Sequence, residues 1–118
     1  MGILSIILQA LLGLGFLMFG FMKFGSKQMV DEFRRYGYSG GFRVFTGLVE
    51  VIAAAIIIWG IWNDTLAAWG AALVVVTMLG AILTHMKVKD AANKMMMPIL
   101  LLILGIIVLV INFGALTN

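Results

Sequence analysis

Long apolar stretches separated by short polar ones make up almost the whole chain. Four of them, residues 3–22, 42–62, 66–86 and 95–113, are each about 20 residues long and carry almost no charged side chains. An α-helix of ~20 apolar residues is long enough to cross the hydrocarbon core of a bilayer. The pattern therefore predicts an all-α membrane protein built as a bundle of four transmembrane helices.

The polar stretch between the first two apolar runs has a helical pattern of its own. Within residues 27–36, Met29 and Phe33 recur at helical spacing, and most of the other positions are charged. Ser26 is placed to cap the start of this helix, and Gly37 is placed to end it. We expect a short amphipathic helix that lies on the membrane surface. The charged side chains spaced four residues apart on its polar side are Lys27, Asp31 and Arg35.

Composition agrees with a single membrane domain covering residues 1–118. Of the 118 residues, 64% are hydrophobic and 11% are charged, whereas soluble domains contain about 25% charged residues. A water-soluble fold of this length buries too small a fraction of its surface to cover so much apolar area. The sequence has no cysteine, one histidine and five acidic residues, so we expect neither a disulfide nor a dedicated metal site.

The basic residues are confined to two of the three connecting segments. Five of the eight Lys and Arg residues lie in or beside the first connection and three in the third, with none in the second connection or the terminal segments. Because cytoplasmic loops of membrane proteins are rich in Lys and Arg, this distribution predicts that both termini lie outside the cytoplasm. Topology accounts for the basic residues, so they do not indicate nucleic-acid binding.

One carboxylate, Glu50, interrupts the second apolar run about 10 Å from its cytoplasmic end. An ionisable group inside a membrane costs about 2.5–3.5 kcal/mol on insertion scales, so Glu50 is either protonated, paired or facing a polar cavity. Lys23, Arg43, Thr84 and His85 are all placed at the same end of the predicted bundle. We expect these five residues to form a ligand-binding pocket, with Glu50 and His85 as the candidate catalytic groups.

Two interpretations of this pocket remain open. In the functional one, Glu50 is an acid or base, His85 shares its proton, and Lys23 or Arg43 holds Glu50 ionised or binds an anionic head group. In the structural one, Glu50 bonds to His85, Arg43 or a main-chain carbonyl and holds the bundle in register. His85 then caps the third long helix.

Glycines recur on the faces that the long helices are expected to bury. Gly13 and Gly20 are seven residues apart in the first helix, Gly47 lies three residues before Glu50, and Gly105 lies in the fourth helix. Small residues let helices approach closely in lipid, where packing takes the place of the hydrophobic effect. These glycines are therefore candidates for helix packing, either within one chain or between the chains of a homo-oligomer.

Three segments in order along the chain resemble a known family. They are FGFMKF at 19–24, RRYGYSGGFRVFTGLVEV at 34–51 and AILTHMKVKD at 81–90. Together with the length, the four spans and the amphipathic first loop, they resemble the DoxX-like family of small four-helix bacterial membrane proteins. The resemblance implies a multi-pass protein of the bacterial cytoplasmic membrane.

The resemblance also implies a limited set of functional expectations. The family name derives from a membrane subunit associated with thiosulfate:quinone oxidoreduction, which implies association with quinone or with a redox protein partner. The positions that the resemblance singles out are Gly20, Lys23, Gly47, Glu50 and His85. The sequence has no flavin, nucleotide or paired-histidine haem motif, so we expect no intrinsic cofactor.

Three functions are therefore compared, and whether the protein is an enzyme stays open. The first is an accessory subunit of a quinone-linked redox system. The second is a small proton-coupled transporter of the four-helix multidrug-exporter type. Those exporters carry their essential carboxylate in the first helix, and their dual-topology members need a weak bias in the charge of their loops. This chain has neither feature. The third is a purely structural or assembly protein in contact with membrane lipid.

Overall fold

The structure is a computed structural model that describes residues 2–117, and it is helical almost throughout. A 3-10 turn at Gly60–Trp62 continues the third helix, and the described residues contain no strand. The six helices are α1 (Ile3–Gly25), α2 (Lys27–Tyr36), α3 (Gly40–Trp59), α4 (Asp64–Lys87), α5 (Ala92–Asn112) and α6 (Gly114–Thr117).

Four of these helices are long and apolar enough to cross a membrane. They are α1, α3 with its 3-10 turn, α4 and α5, and they contain 23, 23, 24 and 21 residues. At the helical rise per residue each one spans the ~30 Å hydrocarbon core of a bilayer. The prediction of a four-transmembrane-helix bundle with a short amphipathic helix in the first loop is confirmed.

The ends of the short helix α2 follow the local chemistry of the chain. Ser26 Oγ accepts a hydrogen bond from Met29 N, and Gly37 ends the helix in the left-handed conformation with φ of 85°. Ser26 itself is extended, so it separates α1 from α2 although α1 continues to Gly25, three residues beyond its predicted end. Both predicted caps of α2 are confirmed.

Three of the predicted helix starts lie too late in the chain, at 42, 66 and 95 instead of Gly40, Asp64 and Ala92. Ser39 Oγ accepts a hydrogen bond from Phe42 N, so α3 begins at Gly40, and the two glycines there form its first turn instead of a separate turn. Similarly, α5 begins at Ala92, not at residue 95, which places Pro98 inside the helix. The predicted start at residue 95 implies that Pro98 lies in the first turn, where a missing N–H costs little; the observed start at Ala92 shows that this expectation is wrong.

The long helices pack in the ring order α1, α3, α4, α5, and the seam that closes the ring between α5 and α1 is the smallest of these contacts. Leu12, Phe16, Ile57, Val74 and Val108 are fully buried between them. The outer surface is also apolar, as lipid-facing helices require.

Each of the four candidate packing glycines lies at a helix–helix contact within this one chain. A Cβ at Gly20 would lie 2.9 Å from the carbonyl oxygen of Gly47, and a Cβ at Gly47 would lie 2.8 Å from that of Gly20. Gly13 faces Ile58 in the same interface. Between α4 and α5, a Cβ at Gly105 would lie 2.9 Å from Val74 Cγ1.

A buried polar network joins three helices at the end of the bundle opposite the basic loops. Ser5 Oγ donates to Gln9 Oε1 at 2.8 Å, and Gln9 Nε2 donates to the carbonyl of Ile57 at 3.1 Å. Asn112 Nδ2 donates to Ser5 Oγ at 3.1 Å and also to the carbonyl of Val108. The side-chain oxygens and amides of this network bond to one another or to main-chain carbonyls, as buried polar groups require.

Candidate functional site

An ion pair joins α1 and α3 near the basic end of the bundle. Lys23 Nζ lies 2.8 Å from Glu50 Oε1, and the two side chains are 13% and 4% exposed. The close approach of the ammonium nitrogen to a carboxylate oxygen makes this contact an ion pair. Lys23 and Glu50 each lie three residues after one of the touching glycines, Gly20 and Gly47, and therefore share a helix face with it.

Arg43 lies beside this pair and bonds to the backbone. Its Nη1 donates to the main-chain carbonyl of Lys23. The structure thus pairs Glu50 with Lys23, and with neither Arg43 nor His85. The guanidinium positions the end of α1 next to the start of α3.

His85 takes part in a second polar cluster, between α2 and the loop that precedes α5. Its Nδ1 lies 2.6 Å from Asp90 Oδ2, while Asp90 accepts two hydrogen bonds from Arg35 at 2.8 Å and 3.0 Å. Arg35 also binds both carboxylate oxygens of Glu32. Because Asp90 is an acceptor, His85 Nδ1 carries a proton, and His85 bonds to this loop carboxylate instead of capping α4.

The contacts within this cluster shift the pKa values of three of its groups. The guanidinium of Arg35 and the imidazole of His85 hold the pKa of Asp90 well below its usual range. Hydrogen bonds from Arg35 and Tyr36 outweigh partial burial and lower the pKa of Glu32. Burial, followed by the hydrogen bond to Glu32, raises the pKa of the Tyr36 hydroxyl. Asp90 and Glu32 are therefore charged, and Tyr36 is neutral, at physiological pH.

Thr84 contacts the segment that follows α2. Its hydroxyl lies 3.0 Å from the Tyr38 hydroxyl, and it also donates to the carbonyl of Gly80, one turn earlier in α4. The Tyr38 ring packs edge-on against Phe42, with centroids 5.0 Å apart, and against Tyr36 at 5.9 Å. This aromatic cluster covers the basic end of the bundle.

A cavity of about 660 Å³ lies beneath the aromatic cluster. Lys23 and Glu50 line it from α1 and α3, and Thr84 and His85 line it from α4. Arg43 does not line it. Four of the five candidate ligand-binding residues therefore face one cavity, whose volume lies within the ~300–1,000 Å³ range of small-molecule sites.

Comparison with known proteins identifies the family. The sequence model of the DoxX-like family matches residues 7–108. The chain belongs to the DoxX-like family. A relative in Bacillus subtilis, the uncharacterized protein YdgD, is 35% identical to this chain over 88 residues. The aligned residues cover 75% of each of the two chains. No solved structure matches the chain significantly.

Several residues that shape the cavity of this DoxX-like protein were not predicted. Asp90 was missed because its partners, Arg35 and His85, become neighbours only when α2 docks on the loop before α5. Tyr36 and Tyr38 were missed as well, although two tyrosines on either side of a helix-ending glycine favour an aromatic cover. Arg35 was expected on the polar side with Asp31, but it pairs with Glu32 and Asp90.

Proposed function

We propose that the protein binds the head group of a quinone in the cavity between Lys23–Glu50 and the aromatic cluster, and acts as an accessory membrane subunit of a redox system. The observation that carries the proposal is the buried Lys23–Glu50 ion pair in the wall of a cavity large enough for a small molecule. An intramembrane carboxylate with a named partner is a functional candidate by default.

The polar groups on the cavity wall suit the two carbonyl oxygens of a quinone ring. The Lys23 ammonium can donate to one carbonyl oxygen. The Tyr38 hydroxyl, which donates to Thr84 while Thr84 donates to the Gly80 carbonyl, can turn to donate to the other. Glu50 stabilises the charge of Lys23 inside the membrane. His85 lines the cavity and bonds to Asp90 through Nδ1, so its other ring nitrogen, Nε2, is the one that could exchange a proton with a reduced head group.

The apolar walls suit the ring and tail of such a ligand. Phe33, Tyr36, Tyr38 and Phe42 provide aromatic faces on which a flat ring can stack. Phe45, Val76 and Met97 also line the cavity and remain more than half exposed on the outside of the bundle. A lipid-soluble molecule could therefore enter from the side, between helices.

The distribution of basic residues supports an orientation of the cavity in the membrane. Both basic connections lie at the cavity end, so the positive-inside rule supports a cavity at the cytoplasmic face of a bacterial inner membrane, with both termini outside. The redox partner would then dock from the cytoplasm and supply the electron-carrying cofactor.

Equilibrium binding of a short-chain benzoquinone and a short-chain naphthoquinone to the full chain in lipid nanodiscs tests the proposal. We expect saturable binding of at least one of them, weakened about tenfold or more by Glu50→Gln and by Lys23→Gln, because each removes a charged group from the wall. Gln9→Leu is the matched control, since it removes a buried polar side chain at the opposite end of the bundle.

Two outcomes would contradict the proposal. One is the absence of saturable binding by a folded protein. The other is binding that Glu50→Gln and Gln9→Leu weaken equally, which would leave the ion pair a structural role. Proton-coupled solute flux that is lost in Glu50→Gln, without quinone binding, would instead assign the cavity to a transporter.

A further inference from the structure

A second and smaller cleft lies on the outer side of the aromatic cluster, between α2 and the start of α3. It has a volume of about 180 Å³ and is lined by Val30, Phe33, Arg34, Tyr38, Gly40 and Arg43. Only Phe33 and Tyr38 also line the large cavity. The cleft is large enough for a chemical group much larger than one water molecule.

The two arginines of this cleft are not neutralised by the acidic residues nearby. At this end of the bundle, Asp31 pairs with Lys27, Glu50 with Lys23, and Glu32 and Asp90 with Arg35. Within residues 2–117, neither Arg34 nor Arg43 has an ion-pair partner. The cleft therefore carries two positive charges without a protein counter-ion.

The geometry of the cleft suits an anion with several oxygens. Arg43 is held by its Nη1 bond to the Lys23 carbonyl, and its Nη2 faces the start of α3, 3.7 Å from where a Cβ at Gly40 would stand. The positive end of the α3 dipole lies at Gly40, where first-turn N–H groups have no helical partner. A planar guanidinium binds two oxygens of one phosphate, which an ammonium cannot do in the same geometry.

The position of the cleft also suits a lipid. Arg43 lies in the first turn of a membrane-spanning helix, and Arg34 lies on the amphipathic helix beside it. Val30 and Phe33 give the floor an apolar surface, which can contact the glycerol and upper acyl region of a lipid whose phosphate reaches the arginines.

We propose that this cleft binds the phosphate of an anionic lipid head group through Arg34 and Arg43. The site is separate from the large cavity and does not depend on a ligand there. The same chemistry would accept free phosphate, so the test has to distinguish the two sources.

Native mass spectrometry of the full chain released from nanodiscs containing equal amounts of phosphatidylglycerol and phosphatidylcholine tests the site. We expect one retained phosphatidylglycerol per chain, with occupancy reduced about tenfold in Arg34→Gln because one charge-assisted contact is lost. Lys27→Gln is the matched control. It removes one positive charge from the same helix, but the Lys27 side chain is 92% exposed and outside the cleft.

The remaining variants and probes make the result decisive. Arg43→Lys keeps the charge but not the two-oxygen geometry, and we expect it to lower occupancy while the protein stays folded. Millimolar inorganic phosphate should leave the lipid in place if the lipid is the ligand; displacement of the lipid would assign the cleft to free phosphate. Equal loss in Arg34→Gln and Lys27→Gln, or equal retention of the two lipids, would overturn the proposal.

Discussion

Arg35 of α2 and Asp90 of the loop before α5 are 55 residues apart in sequence and form a two-armed ion pair, at 2.8 Å and 3.0 Å, over the cavity. The pair fixes the amphipathic helix to the far side of the bundle. Asp90 is nearly buried and also binds His85. This one carboxylate therefore connects α2, through Arg35, to His85 in the wall of the cavity.

Acid should weaken this connection. The pKa of Asp90 is held below its usual value of ~3.9, so its contribution to stability is complete at neutral pH and declines as pH falls below about 5. We expect the thermal unfolding midpoint, measured by tryptophan fluorescence in a non-ionic detergent, to fall more between pH 5 and pH 3 in the parent than in Asp90→Asn.

The control for this experiment is Asp31→Asn, which removes an exposed carboxylate of α2 paired with Lys27 at 3.7 Å. It should retain the acid sensitivity of the parent. If Asp90→Asn has the same acid sensitivity as the parent, the Arg35–Asp90 connection does not stabilise the folded state.

Breaking the Lys23–Glu50 pair from one side should be costly. Lys23→Met leaves Glu50 without a counter-ion in a largely buried position, and losing one partner of a buried pair costs about 3–5 kcal/mol. We expect the double variant Lys23→Met/Glu50→Gln to be more stable than Lys23→Met alone. Reversible unfolding of the parent, both single variants and the double variant in mixed micelles measures the coupling. Additive effects would show that the two side chains do not interact.

The glycine contact that brings this pair together can be tested separately. Gly20→Ala would place a Cβ 2.7 Å from Val51 Cγ2 and 2.9 Å from the Gly47 carbonyl oxygen. We expect a loss of about 1–3 kcal/mol in unfolding free energy, as for other overpacked sites. Gly15→Ala, in the same helix with no atom within 4 Å of the new Cβ, should be neutral or stabilising by up to ~1 kcal/mol. Equal effects of the two substitutions would contradict the close approach.

The orientation in the membrane is accessible to labelling because the chain has no cysteine. We expect a membrane-impermeant maleimide to label Thr65→Cys, in the first turn of α4 beside the second connection, from outside intact cells. Ala91→Cys, in the third connection, should react only after the membrane is opened. Both positions are exposed and neither substitution changes a charge. Labelling of Ala91→Cys in intact cells would reverse the proposed topology.

The features that the sequence predicts correctly depend on short-range physics. Hydrophobic length gives the four spans, and the ends of α2 follow from a serine oxygen and a left-handed glycine that flank the helix directly. The starts of α3, α4 and α5 lie two or three residues earlier than predicted because each helix begins with small or polar residues that precede its apolar run.

The partners within the site depend on long-range contacts and were harder to predict. From the sequence, Lys23 and Arg43 are equal candidates for pairing with Glu50. The structure pairs Glu50 with Lys23 because Gly20 contacts Gly47, and a contact between two helices cannot be seen in the local sequence of either one. Asp90 becomes a partner of His85 through a tight loop in which Lys89 adopts a positive φ of 59°. The loop residues gave no signal of that geometry.

The hydrogen bond between Asn112 and Ser5 has a consequence for how the protein is made. It joins residues 107 positions apart and lies on the seam between the first and last membrane-spanning helices. During synthesis, α1 and α3 can associate as soon as both are inserted, but the seam has to wait until α5 has also been made and inserted. Until then Ser5 lacks this donor, and translation of the final turn of α5 is the step that closes the ring.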